Sequence, residues 1–117
     1  MRISVVGVCA SGKTMLVNGL RQRGYDARSC AQEHSYVPAM WQKIARPDVL
    51  IYLDAGLETI HRRRPGATYS APDLAMAQHR LRHAHQHADL VIATDDLSEE
   101  EVLTTTLRFL RDLAIQT

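Results

Sequence analysis

The chain has 117 residues, enough for one domain with a modest core and too few for two. A formal net charge of +1 gives no global electrostatic case for nucleic acid or an anionic membrane surface, and neither is expected as a partner. Apolar content of 45% and charged content of 23% suit an ordinary globular protein, and no apolar stretch approaches the length that spans a bilayer. Two cysteines do not make a disulfide framework. The expectation is a cytoplasmic protein with free thiols and no targeting segment.

The chain opens on a short β-rich run, residues 3–6, that leads into Gly7-Val8-Cys9-Ala10-Ser11-Gly12-Lys13-Thr14. This string matches the phosphate-binding loop pattern G-x-x-x-x-G-K-[ST] in full. Glycines in such a loop let successive backbone N–H groups turn inward on a polyphosphate. The residues assigned to a nucleotide are therefore Gly7, Cys9, Ala10, Ser11, Gly12, Lys13 and Thr14, with Cys9 acting through its N–H. Lys13 is expected to reach the β- and γ-phosphates and the Thr14 hydroxyl to coordinate Mg²⁺. Residues 14–23 read as a helix closed by Gly24, which supplies the strand–loop–helix setting the pattern needs.

Residues 26–31 form a weak second strand, and Pro38 and Pro47 bracket a short helix over 39–45. Met40 and Trp41 on that helix read as core packing or as the lining of an acceptor pocket. Residues 49–53 are a continuous apolar, β-branched run, as in a central strand buried on both faces. A short helix over 57–63 is stopped by Pro65-Gly66, and 67–72 is a loop. From Asp73, apolar residues at Leu74, Ala77, Leu81, Ala84 and Ala88 predict one helical stripe. His79 and His83 lie about 160° from Leu81's direction, and the stripe they make with His87 reads as a solvated face. Residues 90–93 make another buried-type strand. Ser98 with Glu101 is a capping box for a last helix, whose inner face is Val102, Leu103, Leu107, Leu110, Leu113 and Ala114. Alternating elements of this kind predict an α/β protein, a three-layer α/β/α sandwich on a small four-stranded parallel sheet.

Three segments together resemble the P-loop kinases, the superfamily of thymidylate, deoxynucleoside, adenylate and shikimate kinases. One is the phosphate loop. The second is Pro47-Asp48-Val49-Leu50-Ile51-Tyr52-Leu53-Asp54-Ala55, followed by Glu58 and by Arg62-Arg63-Arg64. The third runs from Ala88-Asp89-Leu90-Val91-Ile92-Ala93-Thr94-Asp95 through Leu97-Ser98 to Val102. The resemblance implies a P-loop NTPase fold with sheet order 2-1-3-4, in a minimal form without the usual substrate insertion and lid. It also implies an Mg²⁺–ATP-dependent transferase, a kinase acting on a small-molecule acceptor. A nucleotide-binding regulatory module or slow NTPase, completed by a partner or a homodimer, is the alternative. ATP is preferred as the nucleoside triphosphate because the guanine signature Asn-Lys-x-Asp is absent.

Under that resemblance Glu33, in Glu33-His34-Ser35, stands where a catalytic carboxylate would be, as base or metal ligand. Asp54 could hold Mg²⁺, cap the helix from Leu57, or bond the phosphate-loop backbone. One arginine of the 62–64 run, Arg63 or Arg64 ahead of Arg62, is expected to meet the γ-phosphate. Asp95 falls near the adenine.

Overall fold

Four parallel strands form one sheet in the order β2-β1-β3-β4: β1 (Arg2–Gly7), β2 (Asp26–Ser29), β3 (Val49–Asp54) and β4 (Leu90–Ala93). The computed structural model describes residues 2–29, 48–66 and 68–116. The expectations for Glu33, His34, Ser35, Met40, Trp41 and the helix over 39–45 lie outside the described residues, as does the far end of the second strand. Five helices accompany the sheet among the described residues: α1 (Lys13–Gln22), α2 (Leu57–Arg63), α3 (Ala71–Arg80), α4 (Arg82–His87) and α5 (Glu99–Gln116).

β1 and β3 are the inner strands, paired from Ile3↔Val49 to Gly7↔Leu53. Both are buried on both faces, which gives β3 an unbroken apolar run and buries even Ser4 in β1. Ile3, Val5, Val49, Ile51 and Leu53 point into one core with Leu16, Val17 and Leu20 of α1 and Val102 and Leu110 of α5. Val6, Leu50 and Tyr52 point into the other with Ile60 of α2, Ala77 of α3, Leu81, and Ala84 of α4. Two cores with a sheet between them are the three expected layers. At the strands' amino ends, two carboxylates set the register. Asp48 accepts from the Arg2 amide at 2.7 Å, and Asp89 accepts from the Leu50 amide at 2.8 Å.

Three local expectations are corrected. The stripe from Leu74 to Ala88 is two helices, not one, with Leu81 between them at ψ 0. The Arg82 guanidinium takes the His79 carbonyl at 2.6 Å, an acceptor that an unbroken helix would give to residue 83. The first of the two helices begins at Ala71, ahead of Asp73, because Ser70 and Asp73 form a reciprocal capping box with Pro72 in the first turn. On α5, Ala114 is exposed, and Thr106 is fully buried. Its hydroxyl donates to the Val102 carbonyl at 2.9 Å, which removes the cost of burying it.

Every strand points its carboxyl end the same way, so the loops after β1, β3 and β4 gather at one edge of the sheet. In open parallel α/β sheets this edge is where ligands bind.

Candidate functional site

The loop after β1 is shaped by two backbone requirements. Gly7 has no room for a side chain, since a Cβ there would stand 2.3 Å from the Leu53 carbonyl oxygen on β3. Gly12 sits at φ 99, the left-handed region, and acts as N-cap of α1. Between them the Ser11 amide donates to the Val8 carbonyl at 3.2 Å and closes a turn, with Ala10 at φ 59. The first turn of α1 has no side-chain cap and no acidic residue, so its amides keep their positive potential for an anion. Lys13 is half-buried and donates from Nζ to the Gly7 carbonyl at 2.6 Å. The Thr14 side chain is exposed on the same cleft. Ser11 is 2% exposed, and its Oγ is buried with no hydrogen-bond partner among the described residues.

Facing the loop is a second wall drawn from distant parts of the chain. Arg63, the last residue of α2, donates from Nη1 to the Ala10 carbonyl at 2.9 Å and to Thr94 Oγ1 at 3.0 Å. Its Nη2 donates to the Thr94 carbonyl at 2.6 Å. Thr94 is itself pinned, its amide and hydroxyl both donating to the Asp54 carbonyl at 2.9 Å. Arg64 is exposed and reaches the Cys9 thiol at 3.2 Å. The segment beyond it is tied back by a bond between the His61 ring and the Tyr69 carbonyl.

The two walls enclose a cleft of about 980 Å³, at the upper end of the roughly 300–1,000 Å³ range of small-molecule sites. Lys13, Arg63, Arg64 and Arg80 bring cations to its lining, while Asp73 and Glu99 bring carboxylates. Asp73 is already engaged by Ser70, which holds its carboxyl below the ordinary value. The lining is therefore suited to an anion.

Of the residues singled out from sequence, Cys9, Ala10, Ser11, Gly12, Lys13, Thr14, Arg63 and Arg64 line this one cleft, with Gly7 at its base. Asp54 and Asp95 are not among its lining residues. Asp54 ends β3 half-buried, and its Oδ1 accepts from the Ala55 amide at 3.0 Å. Asp95 does the capping that had been one option for Asp54. Its Oδ1 accepts from Thr59 Oγ1 at 2.6 Å and from the Gly56 amide at 2.8 Å, at the start of α2. The Thr59 hydroxyl first, then the Gly56 amide, hold the Asp95 carboxyl below its ordinary value, and the charges of Arg63 and Arg62 add to this against a small opposing cost of burial. Arg62 donates to the Asp95 carbonyl at 2.9 Å. Glu33 lies outside the described residues.

Sequence reasoning missed Tyr69, Met76, Arg80 and Thr94 as cleft residues. Arg80 follows buried Ala77 by three positions, so it sits on the flank of the buried face, the one signal that pointed toward it. Met15 and Met76 are each about half exposed at the cleft, an unusual exposure for two large apolar side chains. On the outer face of α3 and α4, His79 and His87 are exposed, and the His83 and His87 rings stack at 4.2 Å. His85 packs edge-on against buried Tyr52 at 4.8 Å, a contact the sequence did not signal.

No protein-family model matches this chain, and comparison with curated proteins returns no match. Among the described residues no helix is long and apolar enough to cross a membrane.

Proposed function

We propose that the protein has a P-loop NTPase fold and binds Mg²⁺–ATP in this cleft, acting as a kinase-like phosphotransferase on a small acceptor. The observation that carries the reading is the turned loop of residues 7–14. Its left-handed backbone at Ala10 and Gly12 leads into an uncapped helix start beside Lys13 and Arg64. Backbone N–H groups in such a turn, together with two flexible cations, match the spread negative charge of a triphosphate. For a hard divalent ion the cleft itself offers the Thr14 hydroxyl. The Thr14 hydroxyl with a carboxylate from Asp54 or Glu33 would hold Mg²⁺, which when bound neutralises charge on the phosphate oxygens.

What these residues contribute is positioning. Lys13 and the loop amides fix the phosphate chain, and Arg64 meets the charge that develops at the transferring end. The apolar flank of Tyr69, Met76 and Leu97 gives a flat group a place to lie. Slow hydrolysis is a second outcome of the same site. Residues 64–70 are all that join α2 to α3, so among the described residues this connection offers little chain to keep water from a γ-phosphate.

The test is transfer of a labelled γ-phosphoryl group from ATP to a panel of small alcohols, acids and monophosphates, with phosphate release read in parallel. Transfer lost in Lys13→Ala supports the kinase reading. Release without transfer supports the NTPase, and its dependence on protein concentration would show a homodimer completing the site. Glu33→Gln is expected to depress turnover with ATP affinity retained, and Asp54→Asn to weaken the Mg²⁺ dependence of binding. Neither transfer nor release, with no ATP bound, would refute the proposal.

A further inference from the structure

Ala10 occupies a left-handed position, φ 59, in the turn closed by the Ser11 amide and the Val8 carbonyl. A glycine is the usual residue where a turn needs positive φ, because a Cβ disfavours that region. The chain has glycines on either side, at 7 and 12, yet alanine here. Something outside the turn must hold Ala10 in this conformation, and the Arg63 guanidinium is bonded to its carbonyl at 2.9 Å across 53 residues of chain.

We propose that Arg63 is a positioning residue for the phosphate loop: its guanidinium bolts the Ala10 carbonyl to Thr94 at the end of β4. The hydrogen-bond inventory supports this. A guanidinium has five N–H groups, and an anion is gripped best through two parallel ones. Arg63 uses three on protein acceptors: Ala10 O, Thr94 Oγ1 and Thr94 O. Both N–H groups of Nη1 are engaged, so the end-on fork of Nη1 and Nη2 is taken up by the link to the loop and to Thr94, and rescue by a glycine at position 10 separates this strut from a side-on contact through Nε and Nη2. Thr94 is a firm anchor. It is 1% exposed and bonded twice to the Asp54 carbonyl on β3, whose neighbour Leu53 pairs with Gly7 at the root of the loop. The bonds thus close a ring running loop, Arg63, Thr94, β3 and back to the loop. Arg64, exposed and bonded to a thiol, a weak acceptor, has the mobility that Arg63 lacks.

The consequence is a specific non-additivity. Without Arg63, Ala10 has no reason to stay left-handed; a glycine at that position would stay there more readily. Arg63→Ala, Ala10→Gly and the double variant should therefore form a coupled cycle, whereas distant, independent sites add. Two readouts apply. Thermal unfolding without ligand reports the link alone, and Ala10→Gly should raise the midpoint less in the Arg63→Ala background, where the alanine has already relaxed, than in the parent, where Arg63 holds it left-handed. Affinity for inorganic tripolyphosphate reports the consequence for the site, and only this arm rests on the nucleotide reading. Arg63→Ala should weaken it about tenfold, and Ala10→Gly should restore most of that loss. A direct ionic contact could not be restored by glycine, so an unrescued loss of affinity would overturn the proposal, as would additive midpoints. Coupled midpoints in a protein that binds no tripolyphosphate would instead uphold the strut and refute the nucleotide reading. Should Arg63→Ala not fold, Arg63→Lys, which keeps the charge without the fork, takes its place in the cycle with the same expectations.

Discussion

The cleft's two walls are built on different principles. Residues 7–14 form a contiguous wall whose shape comes from local rules: a glycine with no space for a Cβ, a tight turn, a left-handed cap and a helix start. The opposite wall is assembled from α2, the segment before α3, α3 itself and the loop after β4. Arg63 of α2 joins the loop after β4 at Thr94 across 31 positions and ties this wall to Ala10 of the first across 53. The first wall depends on backbone space and the second on side-chain hydrogen bonds, so the two should fail differently when perturbed.

The largest effect is expected on the contiguous wall. Gly7→Ala places a methyl 2.3 Å from a β3 carbonyl oxygen that cannot move without disturbing the sheet. A loss of about 3 kcal/mol in urea unfolding is expected, at the upper end of ordinary overpacking. A loss under about 1 kcal/mol would mean that β1 and β3 are less closely apposed than described.

On the assembled wall, Asp95→Ala removes the acceptor for Thr59 and Gly56 and is expected to cost about 1–2 kcal/mol, as loss of a helix cap does. The same carboxylate gives this wall a pH dependence. Its carboxyl lies below the ordinary value of 3.8, so the ionised form is the one the fold favours. Its contribution is therefore complete above about pH 4 and is lost as the pH falls through the lowered value. Thermal midpoints of the parent and Asp95→Asn should differ at pH 6 and converge in acid. Parallel curves would remove Asp95 from the account.

The smallest effect is expected away from the cleft, where α1 meets α5. Gly19→Ala puts a Cβ 2.9 Å from Leu103 Cδ2, the end of a flexible side chain. The roughly 1 kcal/mol that alanine gains over glycine in a helix offsets the repacking, and a net change within about 1 kcal/mol is expected. A loss as large as that of Gly7→Ala would erase the distinction between a backbone and a side-chain neighbour.

The same difference explains what could be read from sequence. The strand over 49–53 was legible because burial on both faces leaves an unbroken apolar run, and the sheet order followed as expected, whereas the strand over 90–93, read as buried, is an edge strand with only Ile92 buried and Val91 exposed. The turn over residues 7–14 was legible because every residue that shapes it is adjacent. Asp95 was not: a carboxylate after a buried strand looks the same whether it faces a ligand or caps a helix 36 residues earlier. Arg63 and Arg64 are indistinguishable in the run 62–64, since their separate engagements depend on where Ala10 and Cys9 lie in space. The break at Leu81 escaped notice because Ala77, Leu81 and Ala84 keep one apolar stripe through it.

The account stands or falls on whether the cleft between these walls takes a nucleoside triphosphate. The direct measurement is a calorimetric titration of the protein with ATP and Mg²⁺, repeated with Lys13→Ala. Removing one charge-assisted contact of about 1.5–3 kcal/mol should weaken binding about 10- to 100-fold, measured at a temperature where both ligand-free proteins are folded. Equal heats from both proteins, or none from either, would contradict the account.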